Sequence, residues 1–229
     1  MRVATYNILH GLPTRGRVVD PAKLIAACRG LDADVLALQE VDRHVPRSHR
    51  LDLAAEVAGA LGMAHVFRAT QDRDGGEYGN ALLVRGTVDR AGVVALPHFA
   101  DREPRNASVA AGWVSDWPRP CSVAATHLSI RKGEGIAQLE AAVAAVGSWP
   151  EPRVLLGDLN LRTALVRPVV EAAGLTLAGG GATFPAVTPV RRIDHVAVRG
   201  FTIGEVRIVA TGVSDHRALV VDLADAGAP

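Results

Sequence analysis

The chain has 229 residues, 48% of them hydrophobic, enough to build a sizeable core, which excludes wholesale disorder and allows one large domain or two small ones. Its 25 basic and 24 acidic side chains leave a formal charge of +1, which excludes a protein that holds polyanions through its overall charge. Cys28 and Cys121 sit in apolar contexts without metal-ligand spacing, and no stretch reaches the ~20 apolar residues of a membrane span, so a disulfide framework, structural zinc and a membrane anchor are not expected. The expectation is a soluble, cytoplasmic protein with a single domain over residues 1–229.

In chain order, residues 3–8 read as a strand, and Asp20-Pro21 as an N-cap and first-turn proline opening a helix over 21–29. A buried strand follows at 35–38, a helix at 51–61 and a strand at 81–84. The second half reads as a strand at 123–126, a helix at 136–146, a strand at 154–156 and a helix at 164–172. Strands at 193–198, 203–209 and 218–223 complete it. The stretches 43–50, 70–76 and 97–106 read as irregular surface loops. Several strands are apolar on both sides, which predicts sheets covered on each face, either two central sheets or one large mixed sheet.

What ends the strands is informative. Residues 3–6 run into Asn7, 35–38 into Gln39-Glu40, 122–126 into His127, and 154–157 into Asp158-Leu159-Asn160. Four buried strands therefore bring amides, carboxylates and an imidazole to their C-terminal ends, where ligand sites of α/β sheets lie. Left buried without partners, such groups would cost several kcal/mol each. If the segment stays extended, Asp158 and Asn160 face one side. By the same alternation His195 faces away from Asp194 and reads as packing. Asp215 and His216 are neighbours and can share a site only from a loop. Taken singly, each residue has a plainer reading: a strand-end turn for Asn7, a solvated carboxylate for Glu40, a core imidazole for His127, an Asx turn at Asp158–Asn160, and an ion pair with Arg191 or Arg192 for Asp194.

Taken together, Thr5-Tyr6-Asn7, Leu38-Gln39-Glu40-Val41, Tyr78-Gly79-Asn80-Ala81, Thr126-His127-Leu128, Gly157-Asp158-Leu159-Asn160, Arg192-Ile193-Asp194-His195 and Ser214-Asp215-His216 resemble, in order, the motifs of the endonuclease/exonuclease/phosphatase superfamily. The likeness is greatest to its compact bacterial metal-dependent hydrolases, which also carry a Glu-Pro-Arg segment, here Glu103-Pro104-Arg105. The resemblance implies a four-layer α/β sandwich, two face-to-face mixed sheets flanked by helices, as in deoxyribonuclease I. It implies Mg²⁺-dependent phosphoester hydrolysis, with Mn²⁺ as a substitute. Glu40 matches the principal metal ligand, Asn7 its neighbour and Asp215 a further ligand. Asp158 matches the residue that orients or deprotonates the attacking water, and Asn160 the amide that holds the phosphate. His216, with Asp194 as its carboxylate, and His127 match the phosphate-facing histidines. Tyr78 and Asn80 fall in the segment that lines the site as substrate-binding candidates, and Arg105 reads either as a phosphate-binding guanidinium or as the salt-bridge partner of Glu103. One departure stands out: some nuclease branches have an acid two positions after the first Asn, and here Leu9 and His10 follow Ile8. The role of His10 and the number of metals stay open.

These residue types suit the reaction. Hard oxygen donors suit Mg²⁺, fixed donors relieve the charge of a phosphoester, and an imidazolium held by a carboxylate can donate near neutral pH. The near-balanced charge and the absence of an aromatic hairpin leave a small, soluble phosphoester as the expected substrate, with no membrane partner and a monomer as the default. A DNA endonuclease is the alternative, and a catalytically silent binding module the remote one. The cluster Arg43, Arg47 and Arg50 reads as a solvated loop or a substrate clamp.

Overall fold

The computed structural model describes residues 1–99, 102–115 and 117–227. In chain order its elements are β1 (Arg2–Asn7), α1 (Pro21–Leu31), β2 (Val35–Arg43), α2 (Leu53–Leu61), β3 (Ala64–Arg73), β4 (Gly76–Val84), β5 (Arg90–Ala95) and β6 (Asn106–Gly112). These are followed by β7 (Cys121–His127), α3 (Lys132–Gly147), β8 (Arg153–Asp158), α4 (Thr163–Ala172), β9 (Thr176–Leu177), β10 (Asp194–Arg199), β11 (Phe201–Val209) and β12 (Ala218–Asp225). The strands form two six-stranded sheets, ordered β11-β12-β1-β2-β4-β3 and β5-β6-β7-β8-β10-β9. Each sheet is mixed, with one parallel pair at its middle, β1 with β2 and β7 with β8. Each parallel pair is joined by a helix, because parallel neighbours need a crossover.

Three apolar layers hold four layers of structure together. α1 and α2 cover one sheet through Leu24, Leu31, Leu53 and Val57. α3 and α4 cover the other through Leu139, Val146, Val166 and Val170. Between the sheets, Val3, Val35, Leu82, Val123, Val154, Leu156, Val196 and Leu219 interdigitate. Burying each such side chain stabilises the fold by roughly 1.5–3 kcal/mol. The four-layer α/β sandwich expected from the resemblance is the fold observed.

The helices begin where capping chemistry places them. Asp20 accepts the Lys23 amide at 3.0 Å ahead of Pro21, and Asp52 accepts the Ala55 amide at 3.0 Å. The Asp52 cap starts α2 two residues later than the apolar spacing suggests. The sequence reading needs correction at several strands. β3, β5 and β9 are edge strands, and β6 surrounds a single valine, Val109, with Ala, Ser, Gly and Asn, so neither kind carries a buried β-branched run. Residues 70–76 are not a loop: Thr70 is a bulge within β3, Gln71–Arg73 pair with β4, and the chain turns at Asp74-Gly75. Of the stretch 97–106, residues 100 and 101 lie outside the described residues, and Asn106 already belongs to β6. Cys28 and Cys121 are buried free thiols. Among the described residues, no helix is long and apolar enough to cross a membrane.

Candidate active site

The alternation that packs the two sheets together also builds the polar site. On β1, Val3 points between the sheets, and two-residue steps carry that face through Thr5 to Asn7. The same parity runs from Val123 and Ala125 to His127, from Val154 and Leu156 to Asp158, and from Val198 and Val196 back to Asp194. These four side chains are buried and converge between the sheets. His195 falls on the opposite face, where its Nε2 lies 2.8 Å from the Leu161 carbonyl in the layer under α3 and α4.

Glu40 breaks this rule. Residues 35, 37 and 39 form the inner face of β2, so a regular strand would present Gln39 rather than Glu40. β2 does not end at residue 38 but runs to Arg43, and its pairing with β4 is interrupted by a bulge between Leu38 and Val41. Within that bulge Glu40 has φ +59°, a left-handed conformation that re-aims its side chain into the site. Gly157 meets a different demand. A Cβ there would stand 2.0 Å from the Thr126 carbonyl oxygen, so the β7–β8 approach that sets His127 beside Asp158 requires glycine.

Asp158 is the hub. Its Oδ2 accepts from Asn7 Nδ2 at 3.1 Å and lies 3.5 Å from His127 Nε2 and 3.7 Å from His216 Nε2. Its Oδ1 accepts the Asn160 amide at 3.0 Å. Asn7 Nδ2 also donates to Glu40 Oε1 at 2.9 Å, and Asn7 Oδ1 accepts the Leu9 amide. Those partners fix which end of the amide faces the carboxylates. His216 Nδ1 lies 3.0 Å from Asp194 Oδ2, and the Phe184 ring packs on the imidazole with centroids 4.8 Å apart. As required for a shared site, Asp215 and His216 lie on the loop before β12.

Burial, and then the nearby charge of Asp194, raise the Asp158 pKa above the ordinary carboxylate range. Burial pushes His216 downward, but its hydrogen bond to Asp194 and the charges of Asp194, Asp158 and Asp215 outweigh this and raise it to about 9. Burial, then the charges of Arg105 and His216, hold His127 well below the usual imidazole range.

Asn160 does not sit in an extended segment. β8 ends at Asp158, Asn160 takes φ +51° in an Asx turn, and its Nδ2 donates to the Leu128 carbonyl at 2.9 Å. Tyr78 and Asn80 lie on the inner side of β4, both buried, and Asn80 Nδ2 has no hydrogen-bond partner. The Arg73 and Arg47 guanidinium groups lie 5.0 and 5.8 Å from the Tyr78 ring centre. Arg105 contacts Glu103 and His127.

Asp215 is less drawn in: its Oδ1 accepts the Ser214 hydroxyl at 3.4 Å, and its carbonyl accepts the Ala186 amide. Two members of the basic cluster are tied to internal carboxylates, and Arg50 is exposed. Arg43 pairs with Glu77, and Arg47 makes two bonds to buried Asp42 at 2.7 and 2.8 Å. His10 stands with φ +47° and a buried Nδ1 that has no partner.

Two lining residues escape the sequence reading. Asn106 starts β6 on the inner side with Oδ1 unpartnered, and Phe184 covers His216 from outside any regular element. The alternation of β6, had that strand been recognised, would have found Asn106; nothing local marks Phe184.

Among the described residues, the one group of three His or carboxylate ligands that closes within 4.8 Å is Asp158, Asp194 and His216. Its Nδ1–Oδ2 contact is already an acid–base hydrogen bond. Glu40 carries the hard oxygen donor at the solvent side: it is only half-buried, and its Oε2 has no hydrogen-bond partner among the described residues. Carboxylate oxygens without sulfur fit Mg²⁺ or Mn²⁺, while the Asn7 oxygen is taken by the Leu9 amide.

Residues 4–216 match the model of the endonuclease/exonuclease/phosphatase family. Among solved structures, the chain is similar to an endonuclease/exonuclease/phosphatase from Beutenbergia cavernae, with TM-score 0.85 and 23% identity over 100% of this chain and 72% of that one. It is also similar to the human nocturnin catalytic domain with bound sulfate (TM-score 0.76, 18% identity, 98% of this chain and 94% of that one). A mannosyl-6-phosphatase from Bacteroides thetaiotaomicron gives TM-score 0.74 and 18% identity over 98% of this chain and 99% of that one. No curated protein matches the sequence significantly.

Proposed function

The chain belongs to the endonuclease/exonuclease/phosphatase family, and from that membership and the site geometry we propose that it is a divalent-metal-dependent hydrolase of small, soluble phosphoesters, acting as a monomer of one domain. The observation that carries this reading is one carboxylate oxygen, Asp158 Oδ2, placed between an amide and two imidazoles, with Glu40 on the other hydrogen of the same amide.

Each residue then has a task set by its contacts. Asp158, made more basic by burial and by Asp194, orients a water and takes its proton. Asn7 and the Asn160 amide hold the carboxylate still while it does so. His216, cationic at neutral pH against Asp194, donates from Nε2 to a phosphoryl or leaving-group oxygen. His127 Nε2 and the second Nδ2 hydrogen of Asn160 add donors, and Asn80 Nδ2, buried and unpartnered, is a further donor from β4. Tyr78 lines the wall beside it. Family members are generally divalent-metal dependent. Bound by Glu40, with Asp215 as a further ligand, Mg²⁺ would supply positive charge against the phosphoryl oxygens. Asn7 turns Nδ2 toward Glu40 and so belongs to this set as the clamp on its carboxylate.

The arginine pairings favour a small substrate over duplex DNA. Arg43, Arg47 and Arg105 each have a carboxylate partner, so three of the cations that a duplex-binding face would use are already neutralised. The test is plasmid nicking and bis-p-nitrophenyl phosphate hydrolysis run together from ~20 to 200 mM salt, since each phosphate contact to DNA adds about one unit to the salt slope. Faster diester hydrolysis with a flat salt dependence is the expected result. Faster nicking that collapses with salt would establish the endonuclease alternative, and no turnover of either substrate or of p-nitrophenyl phosphate would favour a silent binding module.

A further inference from the structure

The two site histidines are held by opposite chemistry at Nδ1. His216 Nδ1 faces the Asp194 carboxylate at 3.0 Å, which can only accept, so that nitrogen carries a proton. His127 Nδ1 faces Arg105 Nη1 at 3.0 Å, and a guanidinium can only donate. The Nδ1 of His127 must therefore offer its lone pair, which leaves the ring proton on Nε2. The same Arg105 Nη1 lies 3.1 Å from Glu103 Oε1, and the arginine side chain is 9% exposed, so it is anchored in place.

Resting on the hydrolase reading, we propose that Arg105 is a positioning residue: it fixes His127 as the Nε2–H tautomer and thereby aims a proton-bearing nitrogen at the substrate phosphoryl group. His127 Nε2 is 3.5 Å from Asp158 Oδ2, longer than a good hydrogen bond, so the donor is not consumed by the protein. Adding a second proton would set an Nδ1–H against an Arg105 N–H and put two cations in contact in a buried space. The groups facing the ring are Arg105 from the segment before β6, Asp158 from β8 and His216 from the loop before β12. The burial and the two cationic neighbours all oppose protonation. The division of labour that results is a fixed neutral donor at His127 and the proton-transferring acid at His216. Arg105 itself then serves the substrate through His127 rather than by clamping phosphate.

The test reads the tautomer directly, in ¹⁵N–¹H long-range correlation spectra of the full chain with ¹⁵N-labelled histidine, the His127 signals being assigned by their loss in His127→Asn. An unprotonated Nδ1 and a protonated Nε2, unchanged between pH ~5.5 and 8.5, where a free imidazole titrates, are expected. Arg105→Met should turn this signal into a titrating tautomer mixture and lower kcat by about 10–100-fold with KM unchanged, the usual cost of losing the group that orients an imidazole. Arg105→Lys keeps a donor and should restore most of the tautomer and part of kcat. A protonated Nδ1 in the unsubstituted protein overturns the proposal. So does an Arg105→Met variant that raises KM alone and leaves the His127 signal in place, because that is a phosphate clamp. If Arg105→Met does not fold, the spectra of the unsubstituted and Lys proteins still decide. The spectra need no substrate, so they stand or fall independently of whether the chain hydrolyses phosphoesters.

Discussion

Asp158→Asn should lower kcat by ~10²–10⁴, the usual contribution of a general base, while leaving the fold intact or more stable. The substitution keeps the shape and the oxygen that accepts the Asn160 amide, but removes the charge and basicity on which the water depends. Its new amide would face Asn7 Nδ2 across what is now a 3.1 Å hydrogen bond and the Nε2–H groups of His127 and His216 at 3.5 and 3.7 Å, so local attraction is lost. Against that loss, a buried carboxylate disappears from beside Asp194. Burial and the Asp194 charge raise the Asp158 pKa in the folded chain, so the folded state binds its proton more tightly than the unfolded state does. Stability therefore falls as pH rises through that shifted value, and the Asn variant escapes the fall. Steady-state kinetics and thermal melts at pH 5 and pH 8 check both halves. A variant with unchanged kcat would remove Asp158 from the chemistry.

His216→Ala and Asp194→Ala should each cost ~10²–10⁴ in kcat, and the double variant should be little worse than the worse single one. Groups that act as a unit are far from additive: without His216 there is no imidazolium for Asp194 to hold. The pair also sets an alkaline limit. With its pKa raised to about 9, His216 is protonated at neutral pH and activity declines as it loses that proton near pH 9. The same shift stabilises the fold fully below the unfolded value of ~6.5 and is lost as pH rises to about 9. His195→Ala is the internal control. His195 follows Asp194 in the chain, yet faces the Leu161 carbonyl in the outer layer, so its loss should cost roughly 1–3 kcal/mol of stability and leave kcat unchanged. Simple addition of the Asp194 and His216 effects would show that the two do not act as a unit, and a His195→Ala variant as impaired as His216→Ala would show that the two faces of β10 have been exchanged.

Much of the site was legible because it obeys one rule. Strands buried on both faces alternate between an inner and an outer layer, and Asn7, His127, Asp158 and Asp194 each stand an even number of residues from a valine packed between the sheets. That parity also separates His195 from Asp194. Glu40 was legible as a carboxylate after a buried apolar run and through the resemblance of its motif, but not through parity: parity selects Gln39, and the bulge with a left-handed Glu40 leaves no sequence signature. The turn that draws Asn160 back to Asp158 was visible as an Asx alternative, since both geometries suit Asp-Leu-Asn. Edge strands β3, β5 and β9 escaped because their exposed backbones need no apolar run, and β6 because small residues carry no period. Glu103 was legible as a candidate partner of Arg105, and Asp42 as an acid near Arg47, because both are close in sequence; the Glu77 partner of Arg43 was not, because it depends on which strands meet in space. For Arg43 and Arg47, the ion pairs engage side chains that the sequence reading gave as a solvated loop or a substrate clamp.

The most direct measurement is turnover of bis-p-nitrophenyl phosphate by metal-depleted protein titrated with Mg²⁺, run in parallel on the unsubstituted chain and Glu40→Gln. The expected result is no turnover in excess chelator, recovery with Mg²⁺ or Mn²⁺, and a higher Mg²⁺ concentration for half-activity in Glu40→Gln, whose fold is retained because Asn7 keeps an oxygen to donate to. Full activity in excess chelator, or an unshifted Mg²⁺ titration in Glu40→Gln, would contradict a metal-dependent site built on Glu40.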